Sequence, residues 1–235
     1  KVPVAGMLDP GYLEKRAKLI SPDKSMGRAR PGVPAGVKPD IKPKAEKEEE
    51  KGLSTSHLVV VDKDGNTASM TTSIAMAFGS RLMVDGFMLN NQLTDFAFRP
   101  SRDGRPVANR AAAGKRPRSS MSPTIVLDGA GKMVLAVGSP GGGRIIGYVA
   151  KTLIAALDWK MTMQEAIDLP NFVNRNGTTD LEKGTLLEAL KPALEAKGGK
   201  VNIRLLVSGL HGVRVTPEGL EGGADRRREG VALGD

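Results

Sequence analysis

The chain has no cysteine and only two histidines, His57 and His211. Without thiols it can form no disulfide, no thiolate nucleophile and no zinc–thiolate centre. Two imidazoles leave room for a serine–histidine–aspartate arrangement but not for a histidine-rich metal site, so neither a metal nor a cofactor is expected. Aromatic residues are scarce, at 3% of 235 positions, and offer few stacking platforms for single-stranded nucleic acid. The net charge of +9 is therefore read as solubility and attraction for small anions, its arginines being scattered through loops beside acidic neighbours. A non-enzymatic basic binding module is the alternative from another class, and salt-sensitive binding to duplex DNA would mark it. No apolar run approaches the roughly 20 residues that span a bilayer. No apolar signal-like region follows Lys1 either, so the chain is expected to be soluble and to be a processed chain or a fragment, any targeting signal lying upstream.

What is present is a globular composition, 40% apolar and 26% charged, sufficient for one core or a core with a tail. A short helical pattern, PGYLEKRAKLI, carries Leu13, Ala17 and Ile20 on one face. From Ser21 to Lys51 five prolines (Pro22, Pro31, Pro34, Pro39 and Pro43) and the mixed-charge run KPKAEKEEEK predict a solvated linker. His57 to Val61 and Thr67 to Ile74 then read as a hairpin joined by Lys63-Asp64-Gly65-Asn66, which brings Ser73 near the level of Thr55. Thr55 stands where linker gives way to strand. Read alone, Ser54 and Thr55 are an ordinary hydroxyl cluster opening a strand. The sharper reading makes Thr55 a latent nucleophile: once the bond before it is cut, its own α-amino group, titrating near pH 8, can take the hydroxyl proton.

Further on, FGSRLMVDGFMLNNQL is a glycine-punctuated loop ending at Gln92 and Asp95, by themselves an ordinary turn or cap. The basic stretch 99–118 has the length of a loop bordering a site. Ser119 and Ser120 open a Ser/Pro turn before a strand at Thr124 to Leu127. A buried-type strand, Met133 to Val137, runs through GSPGGGR into the helix RIIGYVAKTLIAALDW, whose Ile145, Ile146, Val149, Leu153, Ile154 and Leu157 share a face. A glycine-rich turn opening a helix binds anions through bare N–H groups. No Gly-Lys-Ser/Thr follows, which weakens the nucleotide reading; for an acyl enzyme the N–H groups of Gly141 and Gly142 would form an oxyanion hole, worth about 3 kcal/mol per donor. Helices at 162–168 and 184–197, the second bent by Pro192, precede strands at Val201 to Val207 and Gly212 to Val215 and a loop-like basic end. This order suits an α+β fold.

TSHLVVVDKDGN, LNNQLTDF, RPRSSMSPTIV and GSPGGGR, in this order and at this spacing, resemble the γ-glutamyltranspeptidase family from about Val4 to the C-terminus. The resemblance implies the four-layer αββα sandwich of N-terminal-nucleophile (Ntn) hydrolases. It makes residues 1–54 the tail of a large subunit and 55–235 the small catalytic subunit of a zymogen that cleaves itself before Thr55. It gives Ser73 the role of orienting Thr55, Gln92 and Asp95 that of holding the substrate α-ammonium, and Ser119 and Ser120 that of holding its α-carboxylate beside a large-subunit arginine. Donors would be glutathione or other γ-glutamyl compounds, acceptors water, amino acids or peptides, and the setting glutathione metabolism in the periplasm or outside the cell. Three departures stand out. No aromatic residue lies between Phe98 and Tyr148, where many members carry a lid; Arg226 replaces a usual proline; and Ala75 stands where a polar side chain usually helps to hold the ammonium. A methyl group accepts no hydrogen bond, which brings in a runner-up, an acylase for cephalosporin-type side chains.

Overall fold

The computed structural model describes residues 2–37 and 54–234. Pro39, Pro43 and KPKAEKEEEK, which the linker reading includes, lie outside the described residues. In chain order the elements are α1 (Val4–Met7), α2 (Pro10–Ala17), β1 (Thr55–Val61), β2 (Thr67–Ser73), the short hairpins β3 (Met83–Val84) with β4 (Phe87–Met88) and β5 (Ser101–Arg102) with β6 (Arg105–Pro106), β7 (Thr124–Leu127) and β8 (Met133–Gly138). They continue as α3 (Ile145–Leu157), α4 (Met163–Asp168), β9 (Phe172–Asn174), β10 (Thr178–Glu182), α5 (Lys191–Ala196), β11 (Lys200–Arg204), β12 (His211–Thr216) and β13 (Gly219–Ala224). The described residues form two compact units, one from 2–37 with 172–206 and the other from 54–171 with 207–234.

In the first unit β10 is the central strand of a three-stranded sheet, parallel to β11 and antiparallel to β9. Asp9 caps α2 by accepting the Tyr12 N–H at 2.7 Å, with Pro10 at the start of the helix, where its missing N–H costs nothing. The helix expected over 184–197 is split. Pro192 opens α5, and the turn before it is 3-10, because a proline ring is tolerated in the first turn of a helix and not within one.

In the second unit β1 and β2 form the expected hairpin, turned by Asp62, whose carboxylate accepts the N–H groups of Asp64 and Asn66. It packs on β8 and β12 of a four-stranded sheet ordered β13-β12-β8-β7. The sheet's other face carries α4, and glycine makes that fit possible. A Cβ at Gly212 would lie 2.8 Å from the Met163 sulfur, and one at Gly223 2.9 Å from the Ile167 Cδ1. Glycine also hid β13 from sequence reasoning: half of its GLEGGA is glycine, which strand propensity penalises.

The packing face of α3 departs from the expected stripe. Ile145 and Val149 are buried, together with Tyr148, Thr152, Ala155 and Ala156, whereas Ile146 is 59% and Ile154 46% exposed. The stripe is rotated because small residues let the helix approach the sheet closely, while Ile146 and Ile154 face outward. The outward side of the hairpin is apolar too, with Leu58, Val60 and Met70 exposed. Among the described residues no helix is long and apolar enough to cross a membrane.

Candidate active site

β1 alternates, and its inward positions are not its greasy ones: Thr55 and His57 are buried and Leu58 and Val60 are not. Register places Thr55 opposite Ser73, and the Thr55 hydroxyl donates to Ser73 Oγ at 3.0 Å. Ser73 Oγ also accepts the Ala75 N–H at 2.9 Å, while the Ser54 hydroxyl donates to the Ala75 carbonyl at 2.6 Å. The hydroxyls on both sides of the Ser54–Thr55 bond are thus tied to one short stretch after β2. Ala75 itself is buried with φ of 71°, a left-handed conformation that costs an alanine about 1–2 kcal/mol.

Gln92 and Asp95 lie on one 3-10 turn, the Gln92 Nε2 donating to Asp95 Oδ2 at 3.2 Å. A carboxylate can only accept, so the amide nitrogen faces it and the amide oxygen, buried and without a partner, is left as a spare acceptor. Asn91 anchors this turn to the end of β2, its N–H bonding the Ile74 carbonyl and its side chain accepting the Met76 N–H at 3.0 Å. Sequence reasoning missed Asn109, whose side chain donates to the Asp95 carbonyl at 2.7 Å and accepts the Arg118 N–H at 3.0 Å. It ties the Gln92–Asp95 turn to the residue before Ser119, and a lone asparagine in a basic loop gave no sign of it.

Ser119 is exposed, and its Oγ accepts the Met121 N–H at 3.1 Å, the bond of an ordinary serine turn; Ser120 is half-buried. Gly141 and Gly142 have φ of 135° and 57°, and a Cβ at Gly141 would stand 2.7 Å from the Tyr148 ring, so the turn requires glycine. A cavity of about 410 Å³ holds Thr55, His57, His211 and Arg228, and Pro140, next to Gly141, borders it. Gly141, Gly142, Ser119 and Ser120 are not among its lining residues.

His57 is 6% exposed; its Nδ1 lies 2.8 Å from Thr71 Oγ1, its Nε2 is buried without a partner, and a Cβ at Gly138 would sit 2.3 Å from its ring. Burial, with the nearby His211 charge adding to it, pushes its pKa down from 6.5 to about 4. The folded ring is neutral at pH 6, where the unfolded chain already takes up a proton. Stability is therefore complete above pH 6.5 and falls as pH drops towards 4, by on the order of 3 kcal/mol. Urea midpoints followed from pH 7 to 4 should fall in the parent and much less in His57→Gln.

Below this site a buried polar chain closes the core. Asp225, 1% exposed, accepts from the Ser208 hydroxyl, the Leu210 N–H, and the Arg227 N–H and guanidinium. Burial alone would raise its carboxyl, but the Ser208 hydroxyl and these N–H donors outweigh it and hold the group below the ordinary carboxylate range. Arg227 also donates to the carbonyls of Ile167, Asp168 and Leu169, closing the C-terminal end of α4. Ser208 accepts from Asn171, whose oxygen accepts the buried Lys151 ammonium at 3.1 Å.

A strand-opening threonine bonded to a hydroxyl across its hairpin, which packs on a sheet backed by helices, has the architecture of the Ntn hydrolases, and the chain has their α+β fold. The γ-glutamyltranspeptidase family model matches residues 1–235, and the chain belongs to that family. It is 36% identical over 209 residues to the glutathione hydrolase proenzyme of Pseudomonas sp. strain A14, covering 85% of this chain and 34% of that protein. It is also 30% identical to the Acylase ACY 1 proenzyme of Pseudomonas sp. strain SE83, covering 99% of this chain and 38% of that protein. The solved γ-glutamyltranspeptidase of Pseudomonas nitroreducens, complexed with L-DON, superposes with a TM-score of 0.67 at 29% identity, covering 76% of this chain and 98% of the matched one. The chain spans little more than a third of the length of these two curated relatives.

Proposed function

We propose that this chain is the catalytic part of a γ-glutamyltransferase and glutathione hydrolase that matures by cutting the peptide before Thr55. The observation that carries the reading is the Thr55–Ser73 hydroxyl pair at 3.0 Å on the buried face of the hairpin. The Thr55 hydroxyl attacks the Ser54 carbonyl carbon, the acyl group shifts from the Thr55 nitrogen to its oxygen and so frees the amine, and water then opens the ester, restoring the Thr55 hydroxyl and leaving a carboxylate on Ser54. The division is then 1–54 as the tail of one subunit and 55–235 as the other. The mature Thr55 attacks a γ-glutamyl amide with its own amine as base; Ser73 orients the hydroxyl, and the Gly141 and Gly142 N–H groups take the oxyanion. Gln92 and Asp95 hold the donor ammonium, the unpartnered Gln92 oxygen being the acceptor such a ligand would fill. Ser119 and Ser120 hold the α-carboxylate beside an arginine from the preceding subunit. The acyl group leaves to water or to an amino acid or peptide amine. The protein acts in the periplasm or outside the cell.

A second reading, an acylase for cephalosporin side chains, is favoured by Ala75 and by the likeness to an acylase proenzyme. Glutamate release from a γ-glutamyl anilide, compared with deacylation of a cephalosporin side chain, separates the two; preference for the second overturns the first. Ala75→Asn adds an acceptor and suits a left-handed backbone. Its KM for the γ-glutamyl anilide should fall about tenfold, the worth of one hydrogen bond to a charged group, with the melting temperature held or raised. An unchanged KM would mean that the substrate ammonium does not reach position 75.

A further inference from the structure

Arg228 follows β13 in the C-terminal segment and reaches back to the first residue of β1. Its Nη1 donates to the Thr55 carbonyl at 3.3 Å, while its Nη2 is buried and has no partner. The stem fits because position 209 is glycine: a Cβ there would lie 2.9 Å from Arg228 Cδ. Burial works against the guanidinium charge, and Asp225 and Tyr148 restore only part of it. Stability alone does not account for such a residue. An arginine left in water would satisfy every N–H, whereas this one gives up solvent to hold one main-chain carbonyl. That carbonyl belongs to the residue whose amine must serve as a base.

We propose that Arg228 is a positioning residue for the Thr55 amine, pinning the Thr55 main chain while its fixed positive charge disfavours the ammonium form. The inference rests on Thr55 being the nucleophile. During acylation the Thr55 oxygen bonds to the γ-carbonyl carbon and its proton moves to the α-amine; the carbon–nitrogen bond of the donor then breaks as that proton passes to the leaving nitrogen. Each turnover must begin with an uncharged amine. An ordinary α-amino group, titrating at about 7.7–8.0, is only about one-tenth free base at pH 7, and a cation beside it raises that fraction.

The other groups around the amine leave this task to Arg228. His57 on β1, facing the Thr71 hydroxyl of β2, is neutral at this pH, its pKa being about 4. His211 of β12 lines the same cavity and bonds the Gly209 carbonyl through Nδ1. Within the C-terminal segment, Asp225 is engaged by Ser208, Leu210 and Arg227, Arg227 is turned to the end of α4, and Glu229 lines the same cavity but is exposed to solvent, which screens its charge. Among the described residues, Arg228 is the charged group hydrogen-bonded to Thr55.

The test uses the full-length protein as parent, Arg228→Gln, Arg228→Lys and Gly209→Ala, with kcat/KM for a γ-glutamyl anilide measured from pH 5 to 9. Removing the charge should move the acidic limb up by about one unit, so that Arg228→Gln is about tenfold slower at pH 6.5 and meets the parent near pH 9. Arg228→Lys should keep the parental limb. Gly209→Ala displaces the stem without removing the charge and should move the limb the same way by less, which provides the measurement if Arg228→Gln stays uncut. A limb unmoved in Gly209→Ala and in any processed Arg228→Gln, or moved equally in Arg228→Lys, overturns the proposal. Intact mass keeps the two readings apart: a parent without a fragment beginning at Thr55 overturns the nucleophile itself, while a cut and active parent with unmoved variants overturns only the role of Arg228.

Discussion

Full-length protein carrying Thr55→Ala is expected to remain a single uncut chain, where the parent yields two fragments, one beginning at Thr55. Alanine removes the atom that, in the proposed mechanism, attacks the Ser54 carbonyl and later the γ-glutamyl carbonyl. Both events stop together, and γ-glutamyl anilide turnover should fall on the order of 10⁴-fold or more, as when a covalent nucleophile is deleted elsewhere. Thr55→Ser keeps the hydroxyl and the 3.0 Å partner at Ser73 and should still be cut, more slowly because serine holds its rotamer less firmly. Intact mass reads the cut, and released glutamate reads the turnover. An uncut parent, or a cut in Thr55→Ala, would remove the basis of the proposed mechanism.

The second large effect belongs to Asp225 and concerns stability. Asp225→Ala strips the Arg227 guanidinium of its buried counter-charge and leaves the Leu210 N–H and Ser208 hydroxyl without an acceptor. Breaking a buried pair from one side costs about 3–5 kcal/mol, a large part of a typical domain's margin. Urea unfolding should show it. Asp225→Asn keeps the shape and one acceptor oxygen and should lose less. The sign of the pH effect follows from the lowered carboxyl: its contribution is complete above its ordinary value of 3.8 and is lost as pH falls below that, a window acidic to that of His57. The Asn variant should lack this acid loss.

Much of the fold could be read from pattern. The hairpin around Asp64-Gly65, the strand at Thr124–Leu127 and the helix after the glycine turn all follow local rules of alternation, turn chemistry and helical spacing. β9 and β10 were missed because Phe172–Asn174 is three residues long and Thr178–Glu182 is polar. β13 was missed because its glycines serve the fit against α4 rather than strand propensity. The site divides in the same way. Thr55, Ser73, Gln92 and Asp95 are within reach of sequence reasoning, since a hairpin register and a single turn join them in pairs. Asn109, Asp225 and Arg228 are not, because each meets its partners across loops far apart in the chain.

By itself, then, the sequence determined which chemistry this protein has available: no thiols, two imidazoles, a threonine at the border of a strand, and glycines at the mouth of a helix. These are matters of residue type and short spacing, and no folding is needed to see them. Tertiary structure alone decided that the inward face of β1 carries Thr55 and His57 rather than its valines, that Gln92 keeps a bare acceptor, and that an arginine from the last strand's exit grips the main chain of the first. Burial and hydrogen bonding between distant segments belong to the packed chain, because they depend on which groups lose water together, and local sequence carries no record of that.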